Sequence, residues 1–417
     1  MRSLSKTTAS LSRYRRQWQT LAAMAARTNA AKGGPPVESR LRTVLDFGSN
    51  PGALRMWEYR PERLPPAPAL VVVLHGCTQN AAGYDSGAGW STLADRYGFV
   101  VLFPEQERAN NPNLCFNWFQ PGDTTRGAGE ALSIRQMVER AVANHGIDRR
   151  RVFVTGLSAG GAMTATMLAT YPDVFAGGAI VAGLPYGAAT TVQEAFESMF
   201  QSSPRPAREW GDLVRAASPH RGPWPRLSVW HGSVDATVKP VNADEIVKQW
   251  TNVHGLSSKP TATDTVDGYP RSVWRDAEGN DLIEAYTITG MAHGTPLAVG
   301  DGENSVGAAG PFLLEAGISS SYHIAKFWGL TEDARAPVDA RASDGEAILL
   351  PSRAEWPTGA PRPSSADQPR PERGAWEAEE AAAKPSANGP DPSGRGWVID
   401  VGGVITRALR AAGLLKD

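Results

Sequence analysis

Short, continuous apolar runs recur along the body of the chain and are separated by segments typical of helices. The runs at residues 69–76 and 99–104 show no apolar–polar alternation, which predicts strands buried on both faces. Strands that alternate with helices favour an α/β fold, with a mostly parallel central sheet and helices on both of its faces. Residues 43–60 are predicted to precede this body as a β-hairpin. The other predicted strands are 152–154, 174–181, 226–232 and 281–289, and the predicted helices are 88–97, 129–143, 162–170, 190–199 and 319–328.

The alternation is confined to residues 43–331, which we predict to be one domain. Residues 187–225 interrupt it with a helix and a segment rich in proline and tryptophan, which predicts a cap-like insertion that forms a pocket wall. Residues 332–396 are rich in Pro, Ala, Ser, Glu and Arg, a composition typical of a disordered linker. The apolar segment 397–417 that follows either docks on the domain or binds a partner.

Composition and charge exclude several classes of protein. A formal net charge of −1 over 417 residues gives no electrostatic basis for nucleic-acid binding. No apolar run reaches the roughly 18 residues of a membrane-spanning helix, so no transmembrane segment is expected. Residues 1–42 form a basic arm whose short apolar patch follows three arginines and is not a convincing signal peptide. This arm is either a solvated tail or a contact for a membrane surface, a granule or a protein partner.

The segment 151–164 contains the pattern from which a chemical function can be argued. A short β-forming stretch leads into Gly156-Leu-Ser158-Ala-Gly160, and a predicted helix follows. This order of strand, sharp turn and helix is the context in which G-x-S-x-G forms a nucleophile elbow on the α/β-hydrolase fold. The Ser158 hydroxyl would then lie at a helix N-terminus, where backbone N–H groups stabilise a developing oxyanion. The alternative is an ordinary Gly-Ser loop between two elements.

A serine nucleophile needs a histidine base, and in this fold the chain order is serine, acid, histidine. His293 follows the last predicted strand, on a glycine-flanked loop that can reach over the sheet edge, and is therefore the predicted base. His323 lies within a predicted helix and is interpreted as a packing residue. His220 and His231 precede the best acid, and no strand end places His254 at the sheet edge.

The acid that orients the histidine is predicted to be Asp235. This residue follows the strand 226–232, and the carboxyl ends of parallel strands are where functional residues collect. Two other carboxylates are weaker candidates, because Asp244 falls in the next helix and Asp267 in an Asp-Gly turn.

Two backbone N–H groups are expected to form the oxyanion hole. Ala159, the residue after the nucleophile, supplies one of them. The loop after the strand 69–76 supplies the other, and Cys77 is the candidate because Gly76 lets the backbone approach closely. His75 precedes Ser158 in the chain and is interpreted as structural.

With these residues in place, the chain resembles the polyhydroxybutyrate-depolymerase-type esterases, which are α/β-hydrolases related to feruloyl and acetylxylan esterases. The resemblance covers roughly residues 43–330 and implies a triad of Ser158, Asp235 and His293. The matching segments are 75–79, Trp90, 93–95, 103–106, 115–119, 127–134, 156–161, 171–172, 231–232, Asp235 and 290–293.

The resemblance implies a serine esterase that hydrolyses poly(3-hydroxybutyrate)-type or short-chain hydroxyacid esters, without a metal or an organic cofactor. One alternative is a feruloyl or acetylxylan-type polysaccharide esterase, and another is a catalytically inactive binding protein of this fold. The family also suggests an extracellular location, whereas the start of the chain leaves a cytoplasmic one open.

The chain has 2 cysteines, Cys77 and Cys115. Both follow strands of a predicted parallel sheet, so their loops emerge at the same carboxyl edge, near the predicted active site. We therefore expect a disulfide that tethers the oxyanion loop to the pocket wall. The alternative is a pair of free, buried thiols, which a cytosolic location would favour.

Overall fold

A computed structural model of the chain describes residues 39–202 and 204–332. The basic arm up to residue 38, the linker from residue 333 and the segment 397–417 lie outside the described residues, so these predictions stay predictions. Within the described part, no helix is both long and apolar enough to span a membrane.

The described residues form a large sheet whose central six strands, in the order β4-β3-β5-β6-β7-β10, are parallel. Antiparallel strands flank them on both sides, which confirms the predicted mostly parallel sheet. The strands are β1 (Arg42–Val44), β2 (Arg55–Tyr59), β3 (Leu70–Leu74), β4 (Val100–Glu105), β5 (Val152–Leu157), β6 (Gly177–Val181), β7 (Arg226–Gly232), β8 (Ala262–Val266), β9 (Tyr269–Arg275) and β10 (Asp281–Ile288), with β11 (Thr295–Leu297) and β12 (Leu313–Glu315) as a separate parallel pair.

Helices cover both faces of this sheet. Along β3, Leu70 and Val72 belong to one apolar cluster, whereas Val71 and Val73 belong to the other. The strand is therefore buried on both faces, as its unbroken apolar run predicts. The helices are α1 (Ala81–Ala88), α2 (Trp90–Tyr97), α3 (Pro121–Thr124), α4 (Gly129–His145), α5 (Ala159–Thr170), α6 (Val192–Phe200), α7 (Ala207–Ala216), α8 (Val241–His254) and α9 (Ser320–Phe327).

The helix predicted over residues 88–97 begins only at Trp90, as α2, because Ala88 is the last residue of a separate helix, α1. Gly89 separates them, because it adopts a left-handed conformation with φ 77° that ends α1. A Cβ at this position would lie 2.6 Å from the backbone nitrogen of Gly307, so the two helices and this loop pack closely. Helix α1 was not predicted, because it contains Gly83 and Gly87 and has no strong apolar period.

A buried carboxyl group lies in the middle of the sheet. Glu284 on β10 accepts a hydrogen bond from Ser228 Oγ at 2.7 Å, and Arg271 Nη1 lies 3.4 Å away. Burial raises the pKa of Glu284 to about 7, although Ser228 and Arg271 favour the ionised form. Because the folded-state pKa exceeds the usual value of 4.5, the folded state binds this proton more tightly than the unfolded chain. Its stabilising effect is complete below pH ~4.5 and is lost as pH rises through ~7.

We therefore expect Glu284→Gln to flatten the dependence of stability on pH. As pH rises from 5 to 8, deprotonation of Glu284 should lower the free energy of unfolding of the wild-type protein by up to about 3 kcal/mol. The variant has no carboxyl group at this position and should not show this decrease. Urea titrations at both pH values measure the two slopes. Glu278→Gln, an exposed carboxylate before the same strand, is the control. Equal slopes for wild type and Glu284→Gln would contradict the prediction.

Candidate active site

Ser158 lies at the tight turn between β5 and α5. Its backbone has φ 57° and ψ −115°, a conformation that L-residues rarely adopt. A Cβ at Gly160 would lie 2.3 Å from the carbonyl oxygen of Leu74, and a Cβ at Gly156 would lie 2.4 Å from that of Gly160. Both positions therefore need glycine, as the pattern predicts. The turn is held by the Ser158 N–H, which donates to the Val181 carbonyl at 2.9 Å.

Two parts of the backbone lie beside Ser158, the N-terminus of α5 and the loop after β3. Helix α5 begins at Ala159, and the first N–H groups of a helix have no acceptor within it. The Ser158 side chain does not cap them. Cys77, on the loop after β3, lines the same small cleft of about 20 Å³. The residues that line this cleft are Gly76, Cys77, Thr78, Gln79, Leu157, Ser158, Thr237, His293 and Phe312.

His293 and Asp235 form a buried hydrogen-bonded pair. His293 Nδ1–H donates to Asp235 Oδ2 at 2.7 Å. The other carboxylate oxygen accepts from the N–H groups of Thr237 at 2.8 Å and Val238 at 2.9 Å. With its proton on Nδ1, the imidazole has an unprotonated Nε2. His293 lines the cleft with Ser158, although no hydrogen bond joins the two side chains within residues 39–202 and 204–332.

The loops that carry this pair are packed against each other. A Cβ at Gly232, the last residue of β7, would lie 2.3 Å from the carbonyl oxygen of Met291. The Val234 N–H donates to the same oxygen at 3.1 Å. The loop after β10 therefore rests on the end of β7, which brings His293 to Asp235.

The other candidate residues lie elsewhere. Asp244 is on helix α8, as predicted. Asp267, with φ 47°, forms the turn between β8 and β9, and it accepts a hydrogen bond from His323 at 2.8 Å. His323 is on α9 beside the ring of Tyr286, so it packs as predicted.

His231, which the chain order excluded as the base, contacts the same carboxylate. Its Nε2–H donates to the Val238 carbonyl at 2.8 Å and lies 3.3 Å from Asp235 Oδ2. Burial by itself would raise the pKa of Asp235, but the hydrogen bonds from His231 and His293 outweigh it and hold that pKa below its usual value. Asp235 therefore stays ionised. Residues 231–235 run from the end of β7 into a turn, so their spacing of four residues gave no sequence signal for this contact.

The loop that carries Cys77 is fixed at several points. The expected disulfide is confirmed, since Cys77 is bonded to Cys115. His75 Nε2 accepts from the Gln106 N–H at 3.1 Å, and its Nδ1–H donates to the Gly76 carbonyl at 2.8 Å. Burial lowers the pKa of His75, which favours this neutral form with both ring nitrogens bonded.

Glu130, which is not among the predicted site residues, anchors the loop that carries Cys115. Its carboxylate accepts from Gln106 Nε2 at 2.6 Å and from both the side chain and the backbone N–H of Asn117 at 2.8 Å. Burial raises the pKa of Glu130 well above its usual range. A glutamate in the first turn of a helix is common at exposed positions, so its burial here could not be predicted from the sequence.

Comparison with known proteins shows which family the chain belongs to. The profile described as "Esterase PHB depolymerase" matches residues 60–267. The chain is 52% identical over 291 residues to poly(3-hydroxyalkanoate) depolymerase C of Paucimonas lemoignei, covering 70% of each chain. It is 38% identical over 274 residues to an acetylxylan esterase of Coprinopsis cinerea, covering 63% of this chain and 72% of the relative.

Solved structures agree with this placement. An acetyl xylan esterase from Aspergillus awamori is 30% identical and superimposes with a TM-score of 0.56, covering 61% of this chain and 93% of that chain. Sequence, sheet order and the elbow at Ser158 thus lead to one assignment: the chain belongs to the PHB depolymerase family of α/β-hydrolases and is a serine-type carboxylic ester hydrolase.

Proposed function

We propose that Ser158, His293 and Asp235 form the catalytic triad of this esterase. The observation that carries the proposal is the 2.7 Å bond from His293 Nδ1 to Asp235, in a cleft that His293 shares with Ser158. This bond fixes the imidazole in the tautomer that a base needs. The apo distance between a serine and its base is often long and shortens when substrate binds.

The proposed reaction has two halves. His293 Nε2 takes the proton of Ser158 as the hydroxyl attacks the ester carbonyl, and the N–H groups of Cys77 and Ala159 donate to the resulting oxyanion. His293 then gives its proton to the leaving alcohol, and an acyl-enzyme remains on Ser158. In the second half, water gives a proton to His293 and attacks the acyl group, and collapse of this intermediate returns the proton to Ser158. These steps require neither a metal nor an organic cofactor.

For the substrate we propose a polyester of short hydroxyacids, of the poly(3-hydroxybutyrate) type. Support comes from the 52% identity to a poly(3-hydroxyalkanoate) depolymerase, against 38% to an acetylxylan esterase. The alternative is an esterase that removes feruloyl or acetyl groups from polysaccharides. Rates on 3-hydroxybutyrate oligomers, methyl ferulate and acetylated xylan, compared at equal enzyme concentration, distinguish the two. Faster turnover of either polysaccharide-type ester would overturn the polyester assignment.

We further propose that the protein works outside the cell. The disulfide between Cys77 and Cys115 supports this location, because such bonds persist in oxidising compartments. Alkylation of denatured, unreduced protein from its native compartment, followed by intact-mass measurement, tests it. Two alkylated cysteines would favour the cytoplasm instead.

We expect Glu130→Gln to lower kcat while KM changes little. The hydrogen bonds from Gln106 and Asn117 all come to this carboxylate from N–H donors, so the amide of a glutamine would oppose one N–H with another. The Cys115 loop would shift and carry the Cys77 N–H with it through the disulfide. Loss of one oxyanion donor costs about 100-fold to 1,000-fold in kcat, so a displaced donor should cost about 10-fold to 100-fold.

Steady-state kinetics on a p-nitrophenyl ester separate kcat from KM for this variant. Glu284→Gln is the matched control, because Glu284 is equally buried but lies in the sheet between β7 and β9. A loss in kcat shared by both variants, or wild-type kcat in Glu130→Gln, would show that Glu130 does not position the oxyanion loop.

A further inference from the structure

Phe312 closes one side of the cleft that holds Ser158 and His293. The residue is half-buried, and its ring packs edge-on against the imidazole of His293, with 6.0 Å between the ring centroids. This distance is usual for two aromatic rings in contact. Because Phe312 both lines the cleft and contacts the base, its ring borders the space in which the reacting ester must bind. None of the proposed catalytic steps uses this side chain.

The backbone of Phe312 has an unusual conformation for so large a residue. Its φ is 61°, in the left-handed region that bulky residues rarely adopt. Ser158 and Thr78, which line the same cleft, also have positive φ values, of 57° and 65°. Strained residues persist where the surrounding structure fixes them, and they cluster at sites of catalysis and binding. The strain at Phe312 therefore indicates a function for this side chain beyond packing.

Phe312 is held by the same small sheet as the catalytic histidine. Its carbonyl oxygen accepts the Thr295 N–H at 2.8 Å, and a Cβ at Gly294 would lie 2.8 Å from that oxygen. Strand β11 starts two residues after His293 and strand β12 starts one residue after Phe312, and the two strands pair in parallel. This pairing therefore fixes the distance between the ring and the base.

The residue before Phe312 is bonded to the oxyanion loop. Gln79 Nε2 donates to the Pro311 carbonyl at 3.3 Å, and Gln79 Oε1 accepts the Gly76 N–H at 2.8 Å. The Phe312 backbone is thus held on both sides, by this loop and by β11. A bulky group on the substrate would have to break these hydrogen bonds to displace the ring by a shift of the backbone.

The contact with His293 indicates which side of the ester Phe312 borders. His293 gives its proton to the leaving alcohol, so the alcohol oxygen must come within hydrogen-bond distance of Nε2. The carbon attached to that oxygen then lies beside the ring that packs against this imidazole. In a polyester of 3-hydroxyacids that carbon bears the side chain, which is a methyl group in 3-hydroxybutyrate.

Resting on the proposed function, we propose that Phe312 determines how large a side chain the alcohol carbon of the reacting ester can carry. The cleft has a volume of about 20 Å³, so little space is left beside the phenyl ring. A methyl group fits there, whereas a long alkyl chain meets the ring. One methylene more or less in an apolar pocket already changes kcat/KM by about 10-fold to 200-fold, so removal of the ring should have a large effect.

Two pairs of esters test this proposal. Butyrate esters of 2-propanol and 2-octanol differ only in the alcohol, whereas p-nitrophenyl butyrate and octanoate differ only in the acyl group. We expect Phe312→Ala to raise the ratio of kcat/KM for 2-octyl butyrate to that for 2-propyl butyrate at least 10-fold. The ratio for the two acyl groups should stay within about 3-fold of the wild-type value.

Two further variants complete the test. Phe312→Gly should raise the alcohol ratio in the same way, and glycine has no strain at φ 61°, so this variant keeps the test valid if Phe312→Ala does not fold. Phe327→Ala is the matched control, because it removes a half-buried phenyl ring from α9, and it should change neither ratio.

The outcomes separate this proposal from the proposed function. Wild-type protein that hydrolyses neither these esters nor 3-hydroxybutyrate oligomers would contradict the catalytic assignment itself. An unchanged alcohol ratio in the Phe312 variants, or an equal change in both ratios, would overturn the role of Phe312 in selecting the alcohol. A change in the acyl ratio alone would place Phe312 on the acyl side and overturn the proposed orientation. Loss of fluorophosphonate labelling at Ser158 in both Phe312 variants would show that the ring only supports the site, and the proposal would be wrong.

Discussion

Ser158→Ala is expected to reduce kcat for ester hydrolysis by about a million-fold while the protein stays folded. Removal of the nucleophile of a triad has a cost of this size, because the acyl-enzyme route is lost. The fold should tolerate the change, since the Ser158 hydroxyl caps no helix N–H. Alanine and serine also have the same backbone strain at φ 57°, so the substitution should neither relieve nor increase the strain of the elbow.

Two measurements check this expectation. Turnover of a p-nitrophenyl ester gives the loss in kcat, and labelling by a fluorophosphonate should disappear in the variant. Ser321→Ala is the control, as Ser321 is a buried serine on α9, away from the cleft. Near-normal turnover in highly purified Ser158→Ala would exclude Ser158 as the nucleophile, and an unlabelled wild-type protein would favour an inactive member of this fold.

Those parts of the fold that depend on local sequence could be predicted. The elbow at Ser158 depends on two glycines within five residues. Each is required because a Cβ in its place would lie less than 2.5 Å from a backbone oxygen. The Cys77–Cys115 bond followed from one rule of parallel sheets, that successive loops emerge at the same edge. Neither inference needed knowledge of distant packing.

Elements with weak apolar patterns were missed. Strands β8 and β9 pair through a two-residue turn at Asp267-Gly268, a strong hairpin signal, but β8 is mostly exposed and has no apolar run. The strand predicted over 174–181 begins only at Gly177. Its first residues, Val174 and Phe175, pack in or against the apolar core without pairing as strand, and an apolar pattern cannot distinguish these cases.

The hydrogen bonds that hold the site residues in place depend on burial in the folded structure and could not be predicted from the sequence. Glu130 and His231 are both nearly inaccessible to solvent, and their partners are brought by loops up to 24 residues away in sequence. Chain order favoured His293 over His231, and of the two it is His293 that lines the cleft with Ser158. Chain order gave no sign that His231 would hold the same carboxylate.

Asp235→Asn is expected to lower kcat by about 10,000-fold, the cost of the corresponding change in a serine protease triad. The asparagine oxygen can still accept the N–H groups of Thr237 and Val238. Its NH₂ group then faces the ring nitrogens of His293 and His231 in place of an oxygen. His293 can accept this bond only if its proton moves from Nδ1 to Nε2. In that tautomer Nε2 already carries a proton and cannot take one from Ser158.

The variant should also lose stability at neutral pH. The pKa of Asp235 is lowered in the folded protein, so its contribution is present above the unfolded-state pKa and is lost as pH falls through the folded-state pKa. Urea titration at pH 7 should therefore show a smaller free energy of unfolding for Asp235→Asn, alongside the loss in kcat. Asp244→Asn and Asp267→Asn remove the two rival carboxylates and are the matched controls. If either control lost activity as strongly as Asp235→Asn, or if Asp235→Asn kept more than about a tenth of wild-type kcat, Asp235 would not be the acid of the triad.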